Sequence, residues 1–332
     1  MSKVINYHIG IIGIGVLGTA ISETLLEKNN ILDKNKTYNL HIRSYDKYKN
    51  IGCLEDLLTT DFIFLCLPTE YSKIAGEYEK TEIFNVCSQL SHLEYKGIVI
   101  IKSTIEPTTT ESIYNKYSNL QLIHNPEFLT ARTATHDFAN QSHIILGVLP
   151  STRFDNIEFI VNFYCVIFNA VLKYTKFINT NTNTNTNTNT NTNTNTNNIN
   201  TDADNKDINK NESNNNTNDN CPIISICSST ESESVKIFCN SFYATKIQFF
   251  TEIKLLCNKL NIDYDIVKNM MLLNGWINEM HTQIPGHDGQ VSFGGKCFPK
   301  DISALNSFMD KLQIPNKVVN AVVIENNEMR PT

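Results

Sequence analysis

The strongest constraint on how this chain can fold is the run Gly13-Ile14-Gly15-Val16-Leu17-Gly18, set between an apolar segment at 7–12 and an amphipathic one at 17–27. A short apolar run that ends in such a turn and reopens as a helix is the start of a βα unit. The first glycine permits the tight turn, the second lets a ligand approach the backbone, and the third lets helix pack on strand. The helix N-terminus then aims unpaired N–H groups and the positive end of its dipole over the turn, which suits a pyrophosphate. Further apolar runs follow at 39–44, 62–67, 98–102, 120–124 and 143–149, separated by helical patterns. That alternation predicts α/β architecture, a Rossmann-type parallel sheet covered by helices on both faces. Asp46 closes the 39–44 strand. A carboxylate there either grips the adenosine ribose 2′-OH and selects NAD over NADP, or caps its own loop. Its distance from the glycine turn exceeds the usual ~20 residues, which the polar insert at 29–36 accounts for.

From about 179 to 220 the chain is nearly pure Asn, Thr and Asp and opens with an Asn-Thr dipeptide repeat. With no apolar face it cannot form a solenoid, so it is expected to be a disordered insertion in a surface loop before a strand at 222–227. Loop closure costs only ~0.6 kcal/mol more per doubling of length, so the fold tolerates it. The insertion also explains why only 41% of the 332 residues are hydrophobic and 19% charged. After Ser229 the pattern turns helical, at 231–260 and 302–329, with a glycine-rich loop at 285–300 between them. The expected division is a dinucleotide-binding domain over 1–228 and a mostly helical central domain over 229–332. A net charge of −6 argues against a nucleic-acid partner. No apolar run reaches the ~18–20 residues needed to span a bilayer, so no membrane partner is expected. The stretch at 9–17 is broken by glycines and lacks a cleavage site, so it is not read as a leader. Nine scattered cysteines without an export signal read as reduced thiols in the cytoplasm, and no Cys/His cluster suggests a metal.

Two further constellations carry chemistry. In Gly294-Gly295-Lys296-Cys297-Phe298-Pro299-Lys300-Asp301, a helix starting near Pro299 would put Cys297 at its positive end. That lowers a thiol pKa and marks a nucleophile. Lys236 and Asn240 lie four apart on the 231–260 helix and so share one face. Their neighbours Val235, Ile237, Phe238 and Phe242 are apolar, so the pair is expected to line an interior and offer donors to a developing oxyanion.

Six motifs occur in order: Gly13 to Gly18, Cys66-Leu67-Pro68-Thr69, Lys102-Ser103-Thr104, Asn125-Pro126-Glu127-Phe128-Leu129, Lys236 with Asn240, Lys246 and Glu252, and Gly294 to Asp301. The chain thereby resembles the UDP-glucose/GDP-mannose dehydrogenases over nearly its whole length outside the Asn/Thr tract. The resemblance implies oxidation of a nucleotide-sugar primary alcohol to a carboxylate with two NAD⁺, through a thioester on cysteine. It makes Cys297 the nucleophile, Asp301 its partner carboxylate, and Lys236 and Asn240 the alkoxide-stabilising pair. Glu127 becomes the acid/base of thioester hydrolysis, with Thr104 holding the water. It sets Phe128, Leu129, Phe293, Gly294 and Gly295 against substrate, and Pro68, Thr69, Ser103 and Thr104 on the nicotinamide side. A homodimer through the long helix follows from the same resemblance.

The chain departs from the family at several points. By the resemblance, relatives continue into a third domain that grips the uridine diphosphate, and no counterpart of it is expected within these 332 residues. Ala131 stands where many relatives have a second Glu, and Trp276 where many have an Arg. Pro107-Thr108-Thr109 lacks a usual glycine, and Ser292 replaces another. UDP-glucose is the expected substrate, with GDP-mannose or an N-acetylated UDP-hexosamine as alternatives. Two competing readings remain: an NAD-binding relative without turnover, and a single-step hydroxyacid dehydrogenase that would not need Cys297.

Overall fold

The computed structural model describes residues 3–33, 35–175 and 221–330; the Asn/Thr tract expected at 179–220 lies outside them. The first part is a sheet built from β1 (Lys3–Ile12), β2 (Ile31–Asp33), β3 (Lys36–Tyr45), β4 (Phe62–Leu65), β7 (Ile98–Ile101), β8 (Gln121–His124), β9 (His143–Val148), β10 (Val171–Thr175) and β11 (Ile223–Ser228). A separate hairpin pairs β5 (Tyr71–Ser72) with β6 (Glu77–Tyr78). The helices of this part are α1 (Val16–Glu27), α2 (Thr81–His92), α3 (Thr109–Lys116), α4 (Ala134–Ala139) and α5 (Phe154–Phe168).

Period-two patterning sorts the side chains to two faces. Phe62, Phe64, Ile98 and Ile100 join one core with α1 and α5, while Ile63, Leu65, Val99 and Ile101 join the other with α2 and α3. Burial on both faces is why these strands are unbroken apolar runs.

The sheet order is β10-β11-β9-β8-β7-β4-β1-β3-β2. The expectation of a parallel sheet holds from β3 through β8 and fails beyond it. β9 pairs antiparallel with β8, and β11 and β10 continue in β9's direction. The insert at 29–36 also gains structure, with β2 pairing antiparallel to β3 as an edge strand. The chain leaves β1 for β3 on one side and reaches β4 on the other. The crevice at the C-terminal ends of β1 and β4 is therefore the topological switch point, where open α/β sheets bind ligands.

The second part is helical: α6 (Ser229–Leu260), α7 (Tyr264–Leu273), α8 (Cys297–Lys311) and α9 (Lys317–Met329). α6 begins two residues before the expected position because Ser228 and Glu231 form a capping box. The Ser228 Oγ accepts from the Glu231 N–H at 3.2 Å, and a Glu231 carboxylate oxygen accepts from the Ser228 N–H at 3.0 Å. α6 packs on β9, β8 and α3 as well as on α8 and α9, so it is the spine joining both parts.

At the α3 junction the Glu233 carboxylate of α6 is fully buried and accepts from Thr108 N–H at 2.6 Å, Thr110 N–H at 2.7 Å and Thr110 Oγ at 2.6 Å. It supplies the N-terminal cap that α3's own Thr108 does not. Burial nonetheless pushes its pKa up to about 7 against those hydrogen bonds.

The two positions noted as missing a glycine both adopt left-handed backbone: φ is +77° at Thr108 and +60° at Ser292. A residue with a Cβ there costs about 1–2 kcal/mol. Ser292 has compensation, since its buried hydroxyl bonds Gln248 and Asn326 at 2.6 Å each. The Thr108 side chain is exposed and has no such bonds among those found. Thr108→Gly should therefore raise the unfolding free energy by about 0.5–1 kcal/mol, the relief of strain less glycine's backbone entropy, whereas Ser292→Gly should lower it; urea titrations of both variants check this.

Candidate active site

The glycine turn forms the floor of the switch-point crevice. Gly13 has φ +88°, and a Cβ there would collide with the Cys66 carbonyl; a Cβ on Gly18 would overlap the Gly13 carbonyl. Only glycine permits β1, β4 and α1 to converge this closely. Above the turn lies a cavity of about 640 Å³. Gly13, Gly15, Val16, Leu17 and Asp46 line one end, and Pro68, Thr69, Ser103, Thr104, Glu127 and Cys297 line the other. Ile14 and Gly18, expected to contact the cofactor, do not line the cavity: the Ile14 N–H donates to Asp46 and its carbonyl accepts from Lys49, and Gly18 packs on the Gly13 carbonyl.

Asp46 does what its alternative reading proposed. Its Oδ2 accepts from the Ile14 N–H at 2.8 Å and its Oδ1 from the Tyr48 and Lys49 N–H groups at 3.0 Å each. It caps its loop and also faces the cavity, so one carboxylate ties the glycine turn to the end of β3. The glycine cradle at the topological switch point, opening onto this cavity, fits a dinucleotide.

The Asn125-Pro126-Glu127 segment is held from three sides. The Asn125 amide donates to Ile145 O at 2.7 Å, and its Oδ1 accepts from Tyr164 at 2.6 Å and from the Lys102 ammonium at 3.0 Å. This bracing delivers Glu127 to Lys236, with Nζ and Oε1 3.2 Å apart. The other Glu127 oxygen accepts from the Leu129 N–H at 2.8 Å. Lys236 Nζ also lies 5.3 Å from the Phe128 ring centre.

Opposite, α8 begins at Cys297 itself, two residues ahead of the expected Pro299. Pro299 falls in the first turn, where its missing N–H removes no helical bond. Asp301, one turn on, is fully buried. It accepts from Asn240 at 2.6 Å on Oδ2, and from Tyr78 and Lys300 at 2.6 Å each on Oδ1. Asn240 thus spends one amide hydrogen on Asp301 and keeps the second for a ligand.

The expected lowering of the Cys297 thiol pKa is not found. Desolvation raises it; the Lys236 and Lys300 ammonium groups pull it down, while Asp301 and Glu127 push it up. Although the Cys297 side chain is exposed to the cavity, desolvation within the cleft and two carboxylates outweigh the two cations.

Phe293 also departs from its assignment. It is 2% exposed and packs with Ala244, Ile302 and Val322, so its ring supports the loop from beneath instead of facing a ligand. Gly294 and Gly295 lie on the more open side of that loop, which Arg330 braces through Val291 O at 2.6 Å, Ser292 O at 3.0 Å and Asp288 at 2.6 Å. Phe128 and Leu129 line a second cavity of about 430 Å³, which Glu127 also borders.

Tyr78, Lys300 and Lys102 belong to the site although no role was assigned to them from sequence. Lys102 stood inside a quoted motif, and its signal was a lone cation closing an apolar strand. Among the described residues no group of His, Cys, Asp and Glu side chains could hold a metal ion.

A dinucleotide-binding α/β domain joined by a long helix to a thiol-bearing helical part defines the class of protein. Models of the UDP-glucose/GDP-mannose dehydrogenase family match the chain twice, its NAD binding domain over residues 8–164 and its central domain over 230–328. The chain belongs to that family, and the cofactor of its sheet domain is NAD.

The chain is 27% identical over 283 residues to UDP-glucose 6-dehydrogenase of Rickettsia bellii, covering 84% of this chain and 51% of that protein. It is 24% identical over 338 residues to UDP-glucose 6-dehydrogenase TuaD of Bacillus subtilis, covering 99% and 56%. It spans about half the length of the curated relatives it matches. In fold it is similar to a UDP-glucose dehydrogenase from Pyrobaculum islandicum, with TM-score 0.67, 19% identity and coverage of 98% of this chain and 68% of that one. It is also similar in fold to the 3-hydroxyisobutyrate dehydrogenase of Mycobacterium tuberculosis, with TM-score 0.63, 12% identity and coverage of 98% and 94%.

Lys102 gives the site a measurable pH signature. Burial pushes its pKa down to about 8 from an ordinary 10.5. Between those values the unfolded chain holds a proton that the folded one does not, so stability rises with pH across that window and is flat, at its lower level, below it. The full span corresponds to about 3 kcal/mol. Lys102→Met should flatten this slope and raise stability at pH 7, as chemical denaturation at pH 7, 8.5 and 10 will show.

Proposed function

We propose that this chain oxidises a nucleotide sugar in two NAD-dependent steps, most directly UDP-glucose to UDP-glucuronate, through a covalent intermediate on Cys297. The observation that supports this best is that Cys297 opens onto the same cavity as the glycine turn, while Lys236, Asn240 and Asp301 form a buried polar layer behind it.

NAD, when bound, accepts a hydride from the sugar carbon at each step. Lys236 holds the substrate hydroxyl and stabilises the alkoxide formed as its proton passes to the Glu127 carboxylate, 3.2 Å from Nζ, and on to solvent; an oxyanion donor of this kind is worth about 3–4 kcal/mol. Cys297 enters as the thiol. Its sulfur adds to the aldehyde carbon while its proton passes to the former carbonyl oxygen, and the second N–H of Asn240 and the Lys236 ammonium steady that oxygen. A second hydride loss leaves a thioester. Glu127, bordering both cavities, takes the proton of the attacking water, with Thr104 beside it; cleavage returns the thiol and releases a carboxylate.

On this reading Phe128 and Leu129 face the sugar from the second cavity, and Gly294 and Gly295 let it approach the loop. A homodimer would cover the outer face of α6, where Phe238, Phe242 and Phe249 are 52%, 62% and 51% exposed. Among the described residues no disulfide joins the nine cysteines, which suits a cytoplasmic setting.

The test is NADH formation with excess NAD⁺ and limiting UDP-glucose, in parallel with GDP-mannose and an N-acetylated UDP-hexosamine. Two NADH per sugar are expected. Cys297→Ser should abolish completion of the second oxidation, and Lys236→Ala should lower kcat by about 10²–10³-fold. One NADH per substrate, unchanged in Cys297→Ser, would make the chain a single-step dehydrogenase. Tight NAD binding without reduction would make it a binding subunit.

A further inference from the structure

The β5–β6 hairpin lies apart from the main sheet and follows directly on Pro68 and Thr69 in the cavity wall. It packs instead on α8, the helix that Cys297 opens. Two of its phenols reach that helix with equally short bonds, Tyr71 to Ser307 Oγ and Tyr78 to Asp301 Oδ1, both 2.6 Å. Their chemistry differs. Ser307 is a neutral hydroxyl well down the helix, whereas Asp301 is a buried carboxylate four residues after Cys297, on its face of the helix.

Tyr78 is itself 1% exposed and locked in place. Its N–H donates to Glu106 at 2.5 Å, Glu106 pairs with Lys80 at 2.8 Å, and Lys300 Nζ lies 4.5 Å from the centre of its ring. With Asn240 on one oxygen and Tyr78 and Lys300 on the other, Asp301 is fixed in one orientation. A carboxylate stripped of water at this depth is tolerable only with such donors.

We propose that Tyr78 is a positioning residue for the Cys297–Asp301 pair, holding the carboxylate in register with the sulfur and tying the nucleophile's helix to the dinucleotide side of the cleft. The role of the sulfur in turnover rests on the function proposed above; the effect of Tyr78 on the sulfur does not. The charged and titratable groups around the pair come from every neighbouring element: Lys300 on α8, Tyr78 with Lys80 and Glu106 behind it, Lys236 on α6, and Glu127 across the thiol. Without the Tyr78 hydroxyl, the Asp301 carboxylate has one donor fewer. The thiolate then faces a less screened anion and forms less readily.

The experiment is site-resolved alkylation of Cys297 by iodoacetamide, read by peptide mass spectrometry from pH 6 to 10, in wild type, Tyr78→Phe and Tyr71→Phe. The same three proteins are assayed for kcat and KM. In Tyr78→Phe the alkylation rate at pH 8 should fall about fivefold and its midpoint should move upward, part of the effect of one lost hydrogen bond to a charged group being felt at the neighbouring sulfur. kcat should fall by about tenfold with both KM values little changed. Tyr71→Phe loses a bond of equal length to the same helix and should leave the alkylation profile where it was.

A more acidic fluorotyrosine at position 78 keeps the ring and strengthens the donor, so it should move the midpoint downward; it serves as the decisive variant if Tyr78→Phe folds poorly. Identical alkylation profiles in wild type and both Tyr78 variants, or an equal shift in Tyr71→Phe, would overturn the proposal. Wild type that forms no NADH while its alkylation profile still responds to Tyr78 would refute the function proposed above and leave this inference standing.

Discussion

Charge buried where α6 meets the sheet and α8 is the constraint on which the rest of this molecule depends. Glu233, Lys236, Asn240 and Asp301 are between 0% and 6% exposed. Each is satisfied by a partner from a different part of the chain: the start of α3, the Glu127 loop, the first turn of α8, and the β5–β6 hairpin. A well-packed apolar seam would tolerate sliding; a seam of buried ions does not, because removing one partner strands the other without water. The two halves are therefore held in a single register, and that register brings a thiol to the mouth of a dinucleotide crevice.

The same seam sets the reactivity of the thiol. Two lysines would by themselves favour a thiolate, but desolvation and two carboxylates prevail. On the proposed function, a nucleophile kept protonated until an electrophile arrives would be less exposed to stray oxidation, since the thiolate is the form that reacts. On the same proposal, a substrate oxygen entering between the lysines and the carboxylates would share the cations that face the sulfur.

Much of this was legible in the sequence wherever the cause is local. The glycine turn, the buried strands β4 and β7, and the long α6 follow from steric permission, continuous apolar runs and helical periodicity, all read from short stretches of sequence. The burial of Lys236 and Asn240 was anticipated from apolar neighbours, yet of those four only Ile237 is buried, at 1% exposed, while Phe238 and Phe242 face outward. The helix presents its polar pair inward and its phenylalanines outward, an inversion that residue type cannot reveal. Phe293 fails for a related reason, since a phenylalanine in a glycine-rich loop reads equally as a ligand contact or as an anchor into a core. The reversal of direction at β9 was invisible because a strand's apolar pattern is the same in either direction.

What the sequence by itself determined is the set of chemical parts and their local frames: a turn that only glycine can make, a thiol opening a helix, and a lysine and an asparagine one turn apart. These depend on backbone sterics and short-range periodicity, which act over a few residues. Only the tertiary structure decided that Tyr78 and Asp301, 223 residues apart, share a hydrogen bond, that Asp46 caps its own loop while facing the crevice, and that the thiol's pKa rises where the helix end alone would lower it. Those outcomes are sums of burial and charge over groups brought together by folding, and no single segment of the chain contains all the terms.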